Sequence, residues 1–356
     1  MSTEVATDGP RVLINGRPTY EDRTWEGRSI EGLLKNSRMV QAVFDDCEPE
    51  TRGLWAYPDT GVWDPERNTR EFIAALPRYR AHGLLAVTVG LQGGGPIYNP
   101  EVYTKYENSA FEQDGTFRPA YFDRLARVLE TADGLGMVVI VSFFYVQMVR
   151  RIPEDATIKR ITEAVCGWLL DTGRHNILVD LANESSSFWK RPLMEPDRIH
   201  ELVDIAQHVT RNGRRLLVGV STSGGKQLPR GRWRAMEDIA LPHGNGCTPD
   251  ALTNKLRALR DTDEHRANPR PIIVNEDSVS VENMEAAVRE GCSWGFYCQG
   301  YGSGYKSWGP QPRETEYEAL SGFQTPPINW GINTPVKRAF FDRLREITGG
   351  GPEAAS

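Results

Sequence analysis

The segment ILVDLANE at residues 177–184 decides the fold, because an unbroken apolar run ends there in a polar pair. A run of this length without polar alternation is typical of a strand buried on both faces of a parallel sheet. A second segment, RPIIVNE at residues 270–276, repeats the arrangement and also ends in a glutamate. Because the carboxyl ends of parallel strands meet at one edge of a sheet, Glu184 and Glu276 are expected to lie close together.

Eight apolar runs of this kind divide the chain into strand and helix units. Between them lie segments with apolar residues at helical spacing, such as Phe122, Leu125 and Val128. Strands that alternate with helices form a parallel sheet. Eight units in 356 residues predict a closed (β/α)8 TIM barrel in one domain. The predicted strands are 39–46, 84–92, 137–146, 177–184, 215–222, 239–245, 270–276 and 292–299.

Several helix boundaries are marked by their residue types. Thr248-Pro249 and Thr334-Pro335 have the pattern of an N-cap followed by proline at the first helical position. Pro77 predicts a kink or an early end in the first helix. The fifth crossover, RGRWRAMEDI at 230–239, is too short for a full helix. Helices are expected to stop at Gly83, Gly136, Gly213 and Gly291.

A β-hairpin is predicted in front of the barrel. The segment VLINGRPTY at 12–20 alternates about Asn15-Gly16, a pair that favours a tight two-residue turn. We expect this hairpin to plug the bottom of a single catalytic domain over residues 11–349. Residues 1–10 and 350–356 carry no periodic apolar pattern and are predicted to be disordered.

Composition excludes several classes of function. With 42 basic and 48 acidic residues the formal net charge is −6, which gives no electrostatic basis for binding nucleic acid or an anionic membrane. The sequence has no apolar run near ~18 residues and its N-terminus lacks the pattern of a secretion signal, so we expect a cytoplasmic protein. Its five cysteines lack metal-ligand spacing and predict reduced thiols. No metal and no cofactor is expected.

Two carboxyl groups at neighbouring strand ends fit one reaction well. Cleavage of a glycosidic bond with retention needs an acid that protonates the leaving oxygen and a carboxylate that attacks the anomeric carbon. Glu184 and Glu276 are the candidates. The other strand ends and their loops should line the same face of the barrel, since barrel enzymes build their sites there. The predicted substrate-binding residues are Asp45, Asp46, Gln92, Tyr145, Asn183, His243, Asn245, Tyr297 and Gln299, with Trp55 and Trp330 as sugar-stacking rings.

With Asn183-Glu184 at the end of strand four and Glu276 at the end of strand seven, the chain resembles clan A of the glycoside hydrolases, which includes the family-5 cellulases. The resemblance implies that Glu184 is the acid/base and Glu276 the nucleophile. It also implies that Asn183 contacts the sugar 2-hydroxyl and that His243 touches the nucleophile. We expect the charge of Glu276 to keep Glu184 protonated. The implied substrate is an oligosaccharide or glycoside with a β-type linkage.

The chain also departs from the family-5 pattern. Those enzymes carry an arginine near strand two and a histidine after strand three, where this chain has Gln92 and Tyr145. A divergent member is therefore expected. Two alternatives stay open: a barrel lyase or isomerase acting on a sugar or sugar phosphate, in which Glu184 and Glu276 are acid and base or hold a divalent cation, and a barrel that binds carbohydrate without catalysis. The sequence leaves open the sugar, the linkage, exo or endo action, hydrolysis or transglycosylation, and the oligomeric state.

Overall fold

Eight parallel strands form the centre of the protein. The computed structural model describes residues 2–95, 105–300, 321–326 and 328–350. The strands are β1 (Asn36–Arg38), β2 (Ala86–Gly90), β3 (Val138–Phe144), β4 (Ile177–Ala182), β5 (Leu217–Gly219, continued by Ser221–Thr222), β6 (Leu241–Pro242), β7 (Ile273–Val274) and β8 (Ser293–Phe296).

The strands close into a ring. Seven of them pair in the order β5-β4-β3-β2-β1-β8-β7. The continuation of β5 pairs with β6 through Ser221 and Leu241. A parallel bridge between Ala240 and Ile272 then joins β6 to β7, and the Ile273 amide donates to the Ala240 carbonyl at 2.8 Å. The predicted (β/α)8 barrel is therefore confirmed.

In the part of the chain that the structure describes, seven longer helices surround the ring. They are α1 (Pro65–Ala81), α2 (Pro119–Gly134), α3 (Asp155–Asp171), α4 (His200–His208), α5 (Pro249–Arg260), α6 (Val281–Arg289) and α7 (Pro335–Thr348). Between β5 and β6 there is only a 3-10 turn, Arg232–Ala235, as the short crossover predicted. The remaining short helical segments of the described chain are Pro49–Arg52, Gly53–Trp55, Val146–Val149, Ser187–Trp189, Pro192–Met194 and Asp263–Ala267.

The predicted helix boundaries largely hold. The Thr248 side chain accepts from the Ala251 amide, and the Thr334 side chain accepts from the Lys337 amide, so both threonines cap their helices. Helix α1 continues through Pro77 to Ala81, which rules out an early end there. Within the part of the chain that the structure describes, no helix has the length and apolar character needed to cross a bilayer.

The first strand is the main error of the sequence prediction. The apolar run 39–46 does not form β1, which consists of the three preceding polar residues. Ser37 donates to the Phe296 carbonyl at 3.3 Å, and Arg38 is only 3 % exposed. Strand β1 is polar because its side chains meet hydrogen-bond partners and charges inside the barrel. Hydrophobicity therefore gives no sign of it.

The N-terminal segment is more ordered than predicted. Strand Val5–Asp8 pairs antiparallel with Arg11–Ile14, and the Val5 amide donates to the His175 carbonyl at 3.0 Å. The expectation of a disordered N-terminus is therefore wrong for residues 5–8. Arg11–Ile14 also pairs with Arg17–Pro18 across the predicted hairpin turn, where positive φ at both central residues suits Asn-Gly. A further small ribbon joins Thr24–Trp25 to Arg28–Ser29. Of the predicted C-terminal tail, residues 351–356 lie outside the described residues.

The barrel interior changes character along its axis. At the bottom, Val5 and Val12 of the N-terminal strands pack in one apolar cluster with Leu178 and Ile273. Higher up on β4, Asp180 accepts from the Ser142 hydroxyl at 3.1 Å and from the Ser221 amide at 2.9 Å, which links β3, β4 and β5. The apolar plug therefore lies below a polar layer, and that layer supports the carboxyl ends of the strands.

Candidate active site

Glu184 and Glu276 meet at the carboxyl end of the barrel. Glu184 follows β4 by two residues and Glu276 follows β7 by two residues. A carboxylate oxygen of each and one ring nitrogen of His243 all lie within 4.8 Å of one another. Two strands that are distant in sequence thus place both predicted catalytic carboxylates in one cluster.

The backbone of Glu184 is held in an unusual conformation. Its φ is 58°, in the left-handed region that few non-glycine residues adopt. The Glu184 amide donates to the Ser221 hydroxyl at 3.1 Å, and its carbonyl accepts from the Trp189 indole at 2.9 Å. These contacts fix the turn that points the side chain away from the strand. Strained backbone of this kind is concentrated at functional sites.

His243 lies between the two carboxylates. It is fully buried after β6, and its Nδ1 is 3.1 Å from Glu184 Oε1 and 3.7 Å from Glu276 Oε2. Its Nε2 has no hydrogen-bond partner among the described residues. The geometry therefore assigns the Nδ1–H as the donor toward the carboxylates. His243 occupies the place that the sequence predicted, with contacts to both glutamates.

Both oxygens of Glu276 have partners. The Arg38 guanidinium forms an ion pair with Glu276 Oε2, and the Asn245 amide donates to Glu276 Oε1 at 2.8 Å. Arg38 Nη2 also donates to Asn183 Oδ1 at 2.7 Å. A buried carboxylate with a cation and an amide donor is held in one orientation.

Glu184 does not have the electrostatics that the sequence predicted. Burial raises its pKa, but the hydrogen bond and the charge of His243, together with the charge of Arg38, bring the pKa below its ordinary value of 4.5. The expectation that the charge of Glu276 keeps Glu184 protonated is therefore wrong for the free protein. The interactions of Glu184 with His243 and Arg38 outweigh the effect of its burial.

A small pocket of about 50 Å³ opens beside the carboxylates. Glu184, Glu276 and three other predicted residues line it: Asn183, Tyr145 and Tyr297. Together with His243 and Asn245, which contact the glutamates directly, they are the predicted residues that the fold brings together.

Two predicted glutamines have other roles. Gln92 joins the ends of two strands, since its Nε2 donates to the Ser109 hydroxyl and its Oε1 accepts from the Tyr145 amide at 3.0 Å. The carbonyl of Gln299 accepts from the Gln324 amide at 3.1 Å. Neither side chain lines the pocket, and each supports a residue that does.

Asp45 and Asp46 are not in the site. Because β1 ends at residue 38, both lie several residues beyond the strand end, inside the following loop. Asp46 accepts from the Trp55 indole at 2.9 Å, and Asp45 pairs with Arg52. Their carboxylates hold that loop together.

The two predicted stacking tryptophans are buried. Trp55 and Trp330 are each 2 % exposed. The Trp330 indole donates to Asn68 Oδ1 at 3.0 Å, and its ring stacks on Phe323 at 5.7 Å between centroids. Both rings pack loops onto the barrel, so neither is placed to stack against a sugar.

Sequence reasoning missed two polar residues of the site. Arg38 is hidden in a polar triplet that carries no strand pattern, and Gln324 lines the pocket from the long segment after β8. A polar triplet between two apolar runs was the one available sign of Arg38. No local signal marked Gln324.

Comparison with known proteins gives structural matches only. No protein-family model and no curated protein matches the sequence. A broad-specificity endoglucanase of glycoside hydrolase family 5, subfamily 4, from Bacteroides salanitronis superposes with a TM-score of 0.53 at 13% identity, over 89% of this chain and 93% of that chain. A structure described as a glycoside hydrolase gives 0.54 at 11% identity, over 96% and 73%. An apo β-glucosidase designated 1317 gives 0.50 at 15% identity, over 90% and 99%.

At these identities the likeness concerns the course of the backbone. The superposed length nonetheless spans 89% to 96% of this chain. The chain therefore shares the (β/α)8 barrel fold of these glycoside hydrolases.

Proposed function

We propose that the protein is a retaining glycoside hydrolase in which Glu276 is the nucleophile and Glu184 the acid/base. The observation that carries the proposal is the approach of the two carboxylates, with oxygens within 4.8 Å. Retaining enzymes hold their carboxyl groups about 5–5.5 Å apart, whereas inverting enzymes need about 6.5–9.5 Å to admit a water molecule. The spacing in this barrel supports retention.

Glu276 suits the nucleophile because its carboxylate is immobilised. Arg38 and Asn245 hold one oxygen each, so attack on an anomeric carbon needs little reorientation. The attack forms a glycosyl ester and releases the leaving group. Water then cleaves the ester, or a second sugar takes its place and the result is transglycosylation.

His243 reconciles the low pKa of Glu184 with the role of an acid. While Glu276 is ionised and Glu184 carries the proton, the imidazole N–H donates to Glu276, which is 3.7 Å away in the free protein. Once Glu276 is esterified its charge is gone, and the N–H donates to Glu184, as it does at 3.1 Å in the structure. The histidine thus stabilises whichever glutamate is charged at each step.

Asn183 is proposed to bind the substrate. Arg38 engages its Oδ1, so the amide NH₂ is the group that Asn183 offers to a sugar hydroxyl. Tyr145 and Tyr297 line the same pocket and add phenol groups. The proposed substrate is an oligosaccharide or glycoside with a β-type linkage.

Active-site variants test this assignment. Glu276→Gln should abolish turnover of β-glycosides, and Glu184→Ala should be rescued by activated aryl leaving groups and by azide, which gives a β-glycosyl azide. Glu163→Gln, an exposed change on α3, serves as the control. NMR of the first-formed product should show the β-anomer. Full activity of Glu276→Gln, or an α-anomeric first product, refutes the mechanism.

The cluster of Glu184, His243 and Glu276 also supports a second candidate, a metal-dependent lyase or isomerase. Their three potential ligand atoms lie close enough to converge on one divalent cation. Against this, the Arg38 guanidinium already neutralises Glu276 and repels a cation. Activity on sugars or sugar phosphates that is lost with a chelator and restored by a divalent cation would favour the second candidate.

A further inference from the structure

A second buried carboxylate adjoins the proposed nucleophile. Asp277 follows Glu276 directly in the chain and is fully buried, yet no step of the proposed mechanism uses it. Glu276 lines the pocket beside the carboxylates, whereas Asp277 does not. Successive side chains at the end of a strand point to opposite sides. The end of β7 therefore presents one carboxylate to the pocket and another to the packed structure around it.

Asp277 is surrounded by hydrogen-bond donors. Its Oδ2 accepts from the Trp294 indole on β8 at 2.6 Å, and the Asn283 amide on α6 donates to both of its oxygens at 3.1 Å. The Lys255 ammonium on α5 adds a favourable charge. A carboxylate accepts on both oxygens, so it satisfies all of these partners at once. Three separate elements thus hold the Asp277 side chain in one orientation.

The same carboxylate packs closely against Gly244, in the loop after β6. A β-carbon on Gly244 would lie 2.5 Å from Asp277 Oδ2 and 2.6 Å from its Cγ, closer than real β-carbons approach other atoms. Gly244 does not adopt a positive φ, so its backbone conformation does not call for glycine. Glycine is needed at this position because the Asp277 carboxylate occupies the space of a side chain.

Gly244 lies between two residues that contact the catalytic glutamates. The Nδ1 of His243 is 3.1 Å from an oxygen of the proposed acid/base, and the Asn245 amide donates to the proposed nucleophile at 2.8 Å. The turn formed by these three residues is therefore held by Asp277 as well as by the glutamates. A shift of Gly244 away from Asp277 moves both flanking donors relative to the glutamates.

We propose that Asp277 is a positioning residue for glycoside hydrolysis, because its carboxylate fixes the turn from which His243 and Asn245 orient the two glutamates. The inference rests on the proposed function, in which Glu276 attacks the anomeric carbon. That attack requires a narrow range of distance and angle, and a misplacement of about 1 Å can lower the rate by about 100-fold. Asp277 acts through the turn and does not itself touch the substrate.

The test disturbs the contact from both sides. Asp277→Asn keeps the side-chain shape but replaces one acceptor oxygen by an NH₂ group, which faces the donors of Trp294 and Asn283. Gly244→Ala places a methyl group against the unchanged carboxylate. With nitrophenyl β-glycosides of glucose, mannose and galactose as substrates, each variant should lower kcat by about 10–100-fold. KM should stay nearly unchanged, since the lost interaction acts on the transition state.

A second readout measures the attack on the anomeric carbon directly. With a deoxyfluoro-β-glycosyl fluoride, the nucleophile oxygen bonds to the anomeric carbon, fluoride leaves, and the ester persists long enough to be followed by intact mass. Asp277→Asn and Gly244→Ala should slow this labelling in step with kcat. Asp133→Asn is the matched control, because Asp133 is also buried and accepts from the Thr3 amide at 2.6 Å, at the opposite end of the barrel. It should lower the free energy of unfolding but keep the wild-type kcat and labelling rate.

The outcomes separate the positioning role from the proposed function. With active wild-type protein, an unchanged kcat and labelling rate in Asp277→Asn and Gly244→Ala overturns the positioning role while the hydrolase assignment stands. If one of these variants fails to fold, the other decides. An equal fall of kcat in Asp133→Asn indicates general damage and also overturns the role. Wild-type protein that neither hydrolyses these glycosides nor becomes labelled refutes the proposed function, and the positioning role falls with it.

Discussion

Replacing Arg38 by methionine should destabilise the protein strongly. Arg38 is 3% exposed, pairs with Glu276 and is the cation that also faces Asp180 and Glu184. Methionine fills a similar volume without charge, so the carboxylates would stay buried with only His243 to offset them. Removing one partner of a buried ion pair costs about 3–5 kcal/mol. We expect the free energy of unfolding to fall by that amount.

A double-mutant cycle separates the charge from the packing. Glu276→Gln removes the negative partner, so the added cost of Arg38→Met should be smaller by about 1–3 kcal/mol in that background. Urea unfolding at pH 7, with midpoint and slope both fitted, measures all four proteins. Arg257→Met is the control, because Arg257 pairs with Glu290 but is 61% exposed, and such pairs contribute about 0–1 kcal/mol. Equal small losses for Arg38→Met and Arg257→Met, or an additive cycle, would refute the reasoning.

Three further outcomes are expected. His243→Leu removes the hydrogen-bond donor that helps to lower the pKa of Glu184; since an acid must be protonated to act, activity is lost as pH rises through that pKa, and the basic limb of kcat/KM should move to higher pH. An unmoved limb contradicts this. The buried Lys255 ammonium donates to three backbone carbonyls in the loops after β5 and β6. Lys255→Met leaves these carbonyls without that donor, so the free energy of unfolding, measured by heat or urea, should fall by about 3 kcal/mol. A loss below about 1 kcal/mol would contradict this prediction and show that water replaces the ammonium as donor. Trp330→Phe should lower stability by about 1–3 kcal/mol through its lost bond to Asn68 but keep KM for glycosides; a large rise in KM would restore Trp330 as a sugar contact.

The barrel was predictable where strands are apolar. Strands β3 and β4 are buried along their whole length, and their runs of valine, isoleucine and leucine mark them in the sequence. The carboxylates at the ends of β4 and β7 followed from the same runs. The prediction of strand β1 failed because this strand faces the polar layer, where Ser37 and Arg38 have partners from distant strands. Pairings of that kind become visible only once the ring is closed.

Loop residues show a second limit of prediction from sequence. Asp46 and Trp55 follow a predicted strand end and have side chains suited to sugar binding, yet they bond to each other. Composition and spacing do not distinguish a loop that opens toward substrate from one that folds on itself. Gln324 is the converse case. It lines the pocket, but it follows β8 at a long distance in sequence from the strand ends, so it was not predicted.

The polarity of β1 also has a consequence for synthesis on the ribosome. One edge of β1 pairs with β2 early, but the other waits for β8, whose paired residues come 259 positions later in the chain. At the usual rate of translation that edge stays open for roughly 10–50 s. An open apolar strand edge invites pairing with other chains, and charged or polar residues there discourage it. The asparagine, serine and arginine of β1 are therefore expected to discourage such pairing until β8 is made.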